Sequence, residues 1–258
     1  EDGLALVAER GRLMQSMPPG SMLSVPLAEA DVQPLLDESL TVATINRPSR
    51  CVVSGPTEAI VALEQQLADE GIASRRLHTS HAFHSPMMDS ILEPFKERVS
   101  RVQLHAPQIP YVSNVTGTWV TPEEATNPAY WAQHLRQTVR FSEGVSVLAQ
   151  SPEQVLLEVG PGRTLRTLAK RHPDLAPEQV VLSSMRHPRD VQDDDAFLLH
   201  AMGQLWLTGV LIDWQAFCQD ERRLRLSLPT YPFERHRYWV APPEDTGAQP
   251  VSFLKNPN

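Results

Sequence analysis

Between Ser21 and Thr79 the sequence leaves room for very few topologies. Ser21–Pro26 reads as a short strand, and Glu29–Glu38 as a helix with Val32, Leu35 and Leu36 apolar. Leu40–Ile45 reads as a strand, Asn46-Arg47-Pro48-Ser49 as a turn and Arg50–Ser54 as a further strand. Thr57, after Gly55-Pro56, is placed as the N-cap of a helix Glu58–Glu70. Gly71 ends that helix as glycine does where a left-handed residue is required. Ile72–Leu77 is the last strand. The order β-α-β-β-α-β within one short segment predicts a ferredoxin-like split βαβ module. Such a module serves many functions, so it specifies no chemistry.

The chemistry concentrates immediately downstream, in Arg76–Ser90 (RLHTSHAFHSPMMDS), where His78, His81 and His84 fall within seven positions. Pro86–Arg98 reads as a helix with Met87, Ile91, Leu92 and Phe95 apolar, and Pro86 suits its first turn. His84 therefore lies at a strand-to-helix junction. Two readings are open there: a general base aimed into a cleft, or a loop histidine that only hydrogen-bonds. Zinc is not expected, because no cysteine or carboxylate stands at ligand spacing and the histidines do not share a helical face.

The rest of the chain bounds the setting. With 258 residues, 41% of them hydrophobic, it is long enough to bury a core. A formal net charge of −8 argues against general nucleic-acid binding, and no apolar run long enough to span a membrane occurs. Cys51 and Cys218 lie far apart and are expected to be packed thiols in a cytoplasmic setting. Asp2–Met17 reads as a helix with Leu6, Leu13, Met14 and Met17 on its apolar side and Arg10 on its polar or cleft side, and no cap precedes it. Further on, Ile109–Asn114 reads as a strand, and Asn127–Thr138 and Phe141–Ala149 as helices. Gln154–Val159 is a buried-type strand, followed by a Gly160-Pro161-Gly162 turn, a helix Thr164–Arg171 and a strand Val180–Ser183, a pattern that predicts a parallel α/β layer. The glycine turn either binds an anion at the helix start or simply packs the helix on the sheet. Asp193–Phe217 reads as an amphipathic helix with a short connection, its Phe197, Leu198, Leu205, Trp206 and Leu207 needing a docking surface. Leu228–Val240 (LPTYPFERHRYWV) combines two prolines with four aromatics and is expected to be an extended strap on a neighbouring surface.

Taken together, RGRLMQ (Arg10–Gln15), SHAFHSPMM (Ser80–Met88) and LEVGPGRTL (Leu157–Leu165) resemble the acyltransferase domain of modular type I polyketide synthases, and Leu228–Val240 resembles the linker that follows such domains. The resemblance covers nearly the whole chain. It implies a mixed α/β fold: part of an α/β-hydrolase-like large subdomain with an inserted ferredoxin-like small one, then a helical and extended linker. It implies a catalytic base at His84, an arginine at Arg10 that pairs with the free carboxylate of the extender unit, and a backbone carbonyl near His134 that holds the catalytic imidazole. His81-Ala82-Phe83-His84 matches the malonyl-using form of the family's specificity stretch, which makes His81 and Phe83 substrate-binding positions. The physical reason is volume, since Phe83 fills the space an α-methyl branch needs. No permanently bound cofactor and no metal is implied. The substrate would be malonyl-CoA and the partners an acyl carrier protein, through its phosphopantetheine thiol, and adjacent synthase domains on the ketosynthase side. No nucleic acid or membrane partner is implied.

One departure matters. The family's nucleophile sits in a G-H-S-x-G elbow, and no G-x-S-x-G occurs here. Ser80 and Ser85 lack the glycines of an elbow. The nucleophile is thus expected on an upstream segment, and the chain alone is expected to be inactive. The other reading is a catalytically silent segment that spaces synthase domains. The expected division is large-subdomain helix 1–18, small subdomain 19–79, large subdomain 80–186, linker 187–241 and tail 242–258.

Overall fold

The computed structural model describes residues 1–220, 226–234, 236 and 238–240. Chain packing divides the protein into a unit Glu1–Ile212 and a unit Asp213–Asn258. The first unit opens with α1 (Asp2–Gln15) and continues with β1 (Ser21–Val25), α2 (Glu29–Val32), β2 (Thr41–Arg47), β3 (Arg50–Gly55), α3 (Thr57–Asp69) and β4 (Arg75–Arg76). The four strands form one sheet in the order β2-β3-β1-β4 with antiparallel neighbours. Strand alternation divides the side chains. Leu23, Val25, Cys51 and Val53 point to the face packed on Val32 of α2 and on Ile60, Leu63 and Leu67 of α3. Met22, Ala43 and Val52 point to the opposite face, against Leu77 and Phe83.

Local chemistry explains where elements depart from the sequence pattern. The expected helix Glu29–Glu38 stops at Val32 and tightens into a 3-10 turn Gln33–Leu35, because Pro34 removes a donor. Thr57 is the first residue of α3 rather than its cap. Pro56 occupies the cap position, and the Thr57 hydroxyl bonds Ser21 Oγ at 2.9 Å. Gly71 adopts φ +73°, its N–H bonding the Ala68 carbonyl and the Ile72 N–H the Leu67 carbonyl. That closure engages Ile72 in ending the helix, so the expected strand Ile72–Leu77 ladders only at Arg75–Arg76.

After β4 comes a 3-10 helix Pro86–Ile91 and then α4 (Leu92–Val99). A continuous α-helix from Pro86 would drive the Pro94 ring into the preceding turn. With the α-helix starting at Leu92, Pro94 falls in the first turn, where its missing N–H costs nothing. The expected strand at Ile109–Asn114 reduces to one bridge, Val112 to Trp119. Pro110 deprives it of a ladder donor. Then follow α5 (Pro122–Ala125), α6 (Pro128–Arg136), α7 (Phe141–Ala149), β5 (Leu156–Glu158), α8 (Thr164–Lys170) and β6 (Val181–Ser183). β5 and β6 pair in parallel across the α8 crossover. β5 is less buried than its apolar run suggests, with Leu157 37% exposed and neighbouring Val159 82% exposed. A second core joins Leu13 of α1, Met88 and Ile91 of the 3-10 helix, Phe95 and Val99 of α4, and Ala132 and Leu135 of α6.

α9 (Asp194–Leu207), which the sequence pattern groups with the linker, lies in the first unit. Only Ala201 of it is buried, while Leu198, Trp206 and Leu207 are exposed. In the second unit α10 (Trp214–Phe217) is a single turn. The described residues of the strap have no regular structure, and Leu228, Tyr231, Phe233, Tyr238 and Trp239 are exposed. Arg235, Arg237 and the tail from Ala241 lie outside the described residues. Cys51 is a buried free thiol, pushed up to about 11 by that burial, whereas Cys218 is only half-buried. No described helix is long and apolar enough to cross a membrane. Among the described residues, no three His, Cys, Asp or Glu side chains gather as a metal-holding group.

Candidate active site

The site is built on a strained residue. His84 has φ +56°, among the described residues the sole non-glycine in the left-handed region. A side chain there costs on the order of 1 kcal/mol and persists only when its neighbours enforce it. The enforcement is visible on both sides. Ser85, fully buried, donates its hydroxyl to the Ala82 carbonyl at 2.6 Å and accepts the Met87 N–H at 3.2 Å, capping the 3-10 helix. Ala82, also fully buried, lies so close to Gly20 that a Cβ there would stand 2.6 Å from Ala82 Cβ and 2.8 Å from its N. The Gly20 N–H bonds the Ser80 carbonyl at 3.2 Å.

His81 completes the attachment. Its Nε2 is 3.1 Å from the Met17 carbonyl, which can only accept, so Nε2 carries the proton. Nδ1 then accepts the Ser80 hydroxyl at 2.7 Å. With both nitrogens engaged and the ring 5% exposed, His81 has no group left for a ligand. Instead of a direct substrate contact it is a tie between the Ser80–Ser85 stretch and the end of α1. Phe83 is half-buried, touching apolar groups of the sheet on one side and of the helical core on the other.

His84 Nδ1 lies 3.0 Å from the Gln137 carbonyl. A carbonyl accepts, so Nδ1 is protonated and the Nε2 lone pair is free, making no hydrogen bond among the described residues. The expected carbonyl near His134 is thus corrected by three residues. His134 sits inside α6, where carbonyls run along the helix axis, whereas Gln137 is the C-cap with ψ 154°, which turns its carbonyl sideways. That orientation is held from the other side by the edge of β2. Val139 exchanges hydrogen bonds with Ala43 and Ile45 at 2.8 and 2.9 Å, and the Thr138 hydroxyl bonds the Val42 carbonyl at 2.7 Å. The His134 ring stacks on Trp131 at 5.9 Å.

Burial pushes the His84 imidazole down to about 4, with the charges of Arg10 and His134 adding to the effect. His84 is therefore neutral at pH 7. Arg10 lines a cavity of about 340 Å³ with Leu6, Phe95, Trp131 and His134. Its Nε is buried without a partner, and burial lowers its affinity for its proton. No ion pair to Arg10 exists among the described residues. His84 is not among the residues lining that cavity; what links the two is the Arg10 charge, which adds to the lowering at His84. An uncompensated guanidinium suits a carboxylate, and a neutral base suits a proton transfer.

Other arrangements are dismissed by their hydrogen bonds. Ser80 and Ser85 are committed as described. Ser142, His172 and Asp174 look like a triad, but the Asp174 N–H donates to His172 Nδ1 at 3.3 Å. Nε2 therefore carries the proton and donates to Ser142 Oγ at 2.9 Å, the reverse of an activated serine, and both side chains are buried. At the Gly160-Pro161-Gly162 turn the anion position is filled from within. The Glu158 carboxylate accepts the Leu165 and Arg166 N–H groups at 3.1 and 2.9 Å. The glycines serve backbone shape there, with φ +143° and +107°.

The resemblance pointed to a carbonyl near His134, but no residue type singles out Gln137, since a backbone group is the same at every residue.

Comparison with known proteins identifies the family. A model of the family described as "Acyl transferase domain" matches residues 1–211. The chain is 40% identical over 250 residues to a component of the phenolphthiocerol/phthiocerol polyketide synthase of Mycobacterium tuberculosis, covering 96% of this chain and 17% of that protein. Among solved structures, the acyltransferase domain of ZmaA superposes with a TM-score of 0.80 at 39% identity, covering 88% of this chain and 53% of that one. The acyltransferase domain from the second module of the salinomycin polyketide synthase gives a TM-score of 0.80 at 37% identity, covering 89% and 54%. The chain thus spans about half the length of those solved domains and a sixth of the mycobacterial protein. With a mixed α/β fold and these relatives, the chain belongs to the acyl transferase domain family, among the acyltransferase domains of polyketide synthases.

Proposed function

We propose that this chain supplies the base, the carboxylate clamp and the extender-selecting wall of a polyketide synthase acyltransferase. That enzyme moves malonyl from malonyl-CoA, through a serine ester, to the phosphopantetheine thiol of an acyl carrier protein. The observation that carries the reading is the 3.0 Å bond from His84 Nδ1–H to the Gln137 carbonyl, which leaves Nε2 free as an acceptor. In this reading the sheet β2-β3-β1-β4 with α2 and α3 is a ferredoxin-like subdomain, and α1 with the elements after β4 belongs to an α/β-hydrolase-like subdomain.

The nucleophilic serine comes from a segment outside these 258 residues. His84 Nε2 takes the serine proton as the oxygen attacks the thioester carbonyl, then returns it to the departing coenzyme A thiolate. In the second half it takes the proton of the phosphopantetheine thiol, whose sulfur attacks the ester, and gives it back to the serine oxygen. The carbonyl of Gln137 does the orienting that a carboxylate does in a Ser-His-Asp triad. Arg10 holds the free malonyl carboxylate with two parallel donors. Phe83 leaves no room for an α-methyl branch. His81 acts at one remove, fixing the stretch that carries both.

The test is intact-mass labelling of the domain that joins this chain to its serine-bearing segment. A malonyl adduct from malonyl-CoA, none from methylmalonyl-CoA, none in His84→Ala, and methylmalonyl labelling in Phe83→Ser are expected. Equal labelling by both thioesters would refute the Phe83 argument. Absence of any adduct would favour the second reading, a silent segment that spaces neighbouring domains, which the exposed aromatics of the strap support.

A further inference from the structure

The chain carries a formal net charge of −8, yet one cavity on it is strongly cationic. About 510 Å³ in volume, it lies between α8 and the sheet face opposite α2 and α3. Arg47 and Arg50 enter it from the β2–β3 hairpin, Arg75 from β4 and Arg171 from the end of α8, and no carboxylate lines it. Among the described residues none of these four forms an ion pair within 4 Å, whereas adjacent Arg76 is paired with Glu64. The Nε atoms of Arg47 and Arg50 are buried without hydrogen-bond partners. Arg50 reaches only Ser24 Oγ, at 3.5 Å. Four like charges from three segments, Arg47 and Arg50 each with a buried Nε unmet and Arg75 and Arg171 exposed at the rim, are stable against a multiply charged anion and repel one another without it.

The position relates this cavity to the candidate active site. Val52 and Leu77 line it, and both belong to the apolar group against which Phe83, next to His84, is packed. A pantetheine arm separates a reacting thioester from its phosphate, so the seat for the phosphate must lie off the chemical centre, beyond the residue that walls it. Resting on the transferase reading above, the geometry points to this cavity as the seat for a phosphate group at the far end of the pantetheine arm. Guanidinium forks match phosphate oxygens in pairs, which lysines do not. The same phosphate chemistry has two sources: the nucleotide of coenzyme A and the phosphopantetheine of a carrier protein.

The experiment is calorimetric titration of the full chain with adenosine 3′,5′-bisphosphate, with 4′-phosphopantetheine, and with adenosine as the uncharged control. At least one phosphate compound binds, adenosine does not, and affinity falls as salt rises. The double variant Arg47→Ala/Arg50→Ala weakens binding about tenfold or more, and Arg171→Ala, from the opposite wall, weakens it independently. Arg50→Lys falls between, and Arg12→Ala, an exposed arginine paired with Glu9, changes nothing. Circular dichroism melts of each variant show that the fold is retained. Binding of the bisphosphate alone assigns the cavity to coenzyme A, and binding of phosphopantetheine alone to the carrier arm. No phosphate binding, equal binding by adenosine, or undiminished affinity in both arginine variants would overturn the proposal. None of these titrations requires acyl transfer. Malonyl labelling with unchanged affinity in the variants defeats the cavity alone, and arginine-dependent binding without labelling defeats the transferase reading alone.

Discussion

Ser85→Ala isolates what holds His84 in its left-handed conformation. The Ser85 side chain is fully buried, and its one oxygen serves two backbone groups, the Ala82 carbonyl at 2.6 Å and the Met87 N–H at 3.2 Å. Losing the cap bond costs about 1–2 kcal/mol, and leaving the Ala82 carbonyl unpaired in the interior adds about 1–2 kcal/mol. The sum, about 2–4 kcal/mol, is a large share of a typical domain's stability. Urea unfolding followed by circular dichroism should show the midpoint falling with an unchanged slope. Ser80→Ala, which removes an exposed hydroxyl from the same stretch, should cost about 1 kcal/mol or less. A second readout concerns the site itself. Long-range ¹H–¹⁵N spectra should show His84 protonated on Nδ1 in the wild-type chain. In Ser85→Ala that preference should weaken, and the ring should titrate closer to its ordinary value. A Ser85→Ala midpoint within error of wild type, with the His84 tautomer unchanged, would refute the argument that this turn imposes the strained geometry.

Two further expectations follow from the same contacts. Because burial holds His84 down at about 4 from an ordinary 6.5, the unfolded chain takes up a proton first as pH falls. His84 therefore contributes stability above about pH 6.5 that is lost progressively down to about pH 4. At about 1.36 kcal/mol per unit the ceiling is about 3 kcal/mol, and solvent screening of a half-buried ring makes the actual value smaller. Urea midpoints across that range, compared with His84→Gln, measure it, and parallel curves for the two proteins would contradict it. Gly20→Ala should destabilise the chain by about 1–3 kcal/mol and displace the His84 loop, because the added methyl meets the Ala82 backbone at 2.8 Å and the Gly55 carbonyl at 3.1 Å, neither a flexible side-chain end. Unfolding midpoints together with the His84 tautomer signal check both parts.

Much of this architecture is written in local pattern. The short apolar runs in Ser21–Val25 and Arg50–Gly55, the Gly71 stop and the length of α3 follow from patterns and caps that each segment carries alone. The stretch from His81 to His84 drew notice as part of a histidine cluster, but its spacing left the role of His84 open, and only the family resemblance gave these residues roles. Other features depended on partners far away in the chain. Pro94 and Pro110 cut elements that the apolar pattern would have run on, a contest between local rules that only packing resolves. The histidine that looked available, His81, is sealed by the Met17 carbonyl 64 residues before it. The group that orients His84 is the carbonyl of Gln137, 53 residues after it. A main-chain carbonyl has no side-chain identity, so nothing in the letters marks it. Its usefulness arises from a helix ending in an extended residue whose neighbours are hydrogen-bonded to β2. The kinds of chemical groups belong to the sequence. Which of them are free, which are engaged and which way each proton points depend on contacts between segments that the chain brings together only by folding.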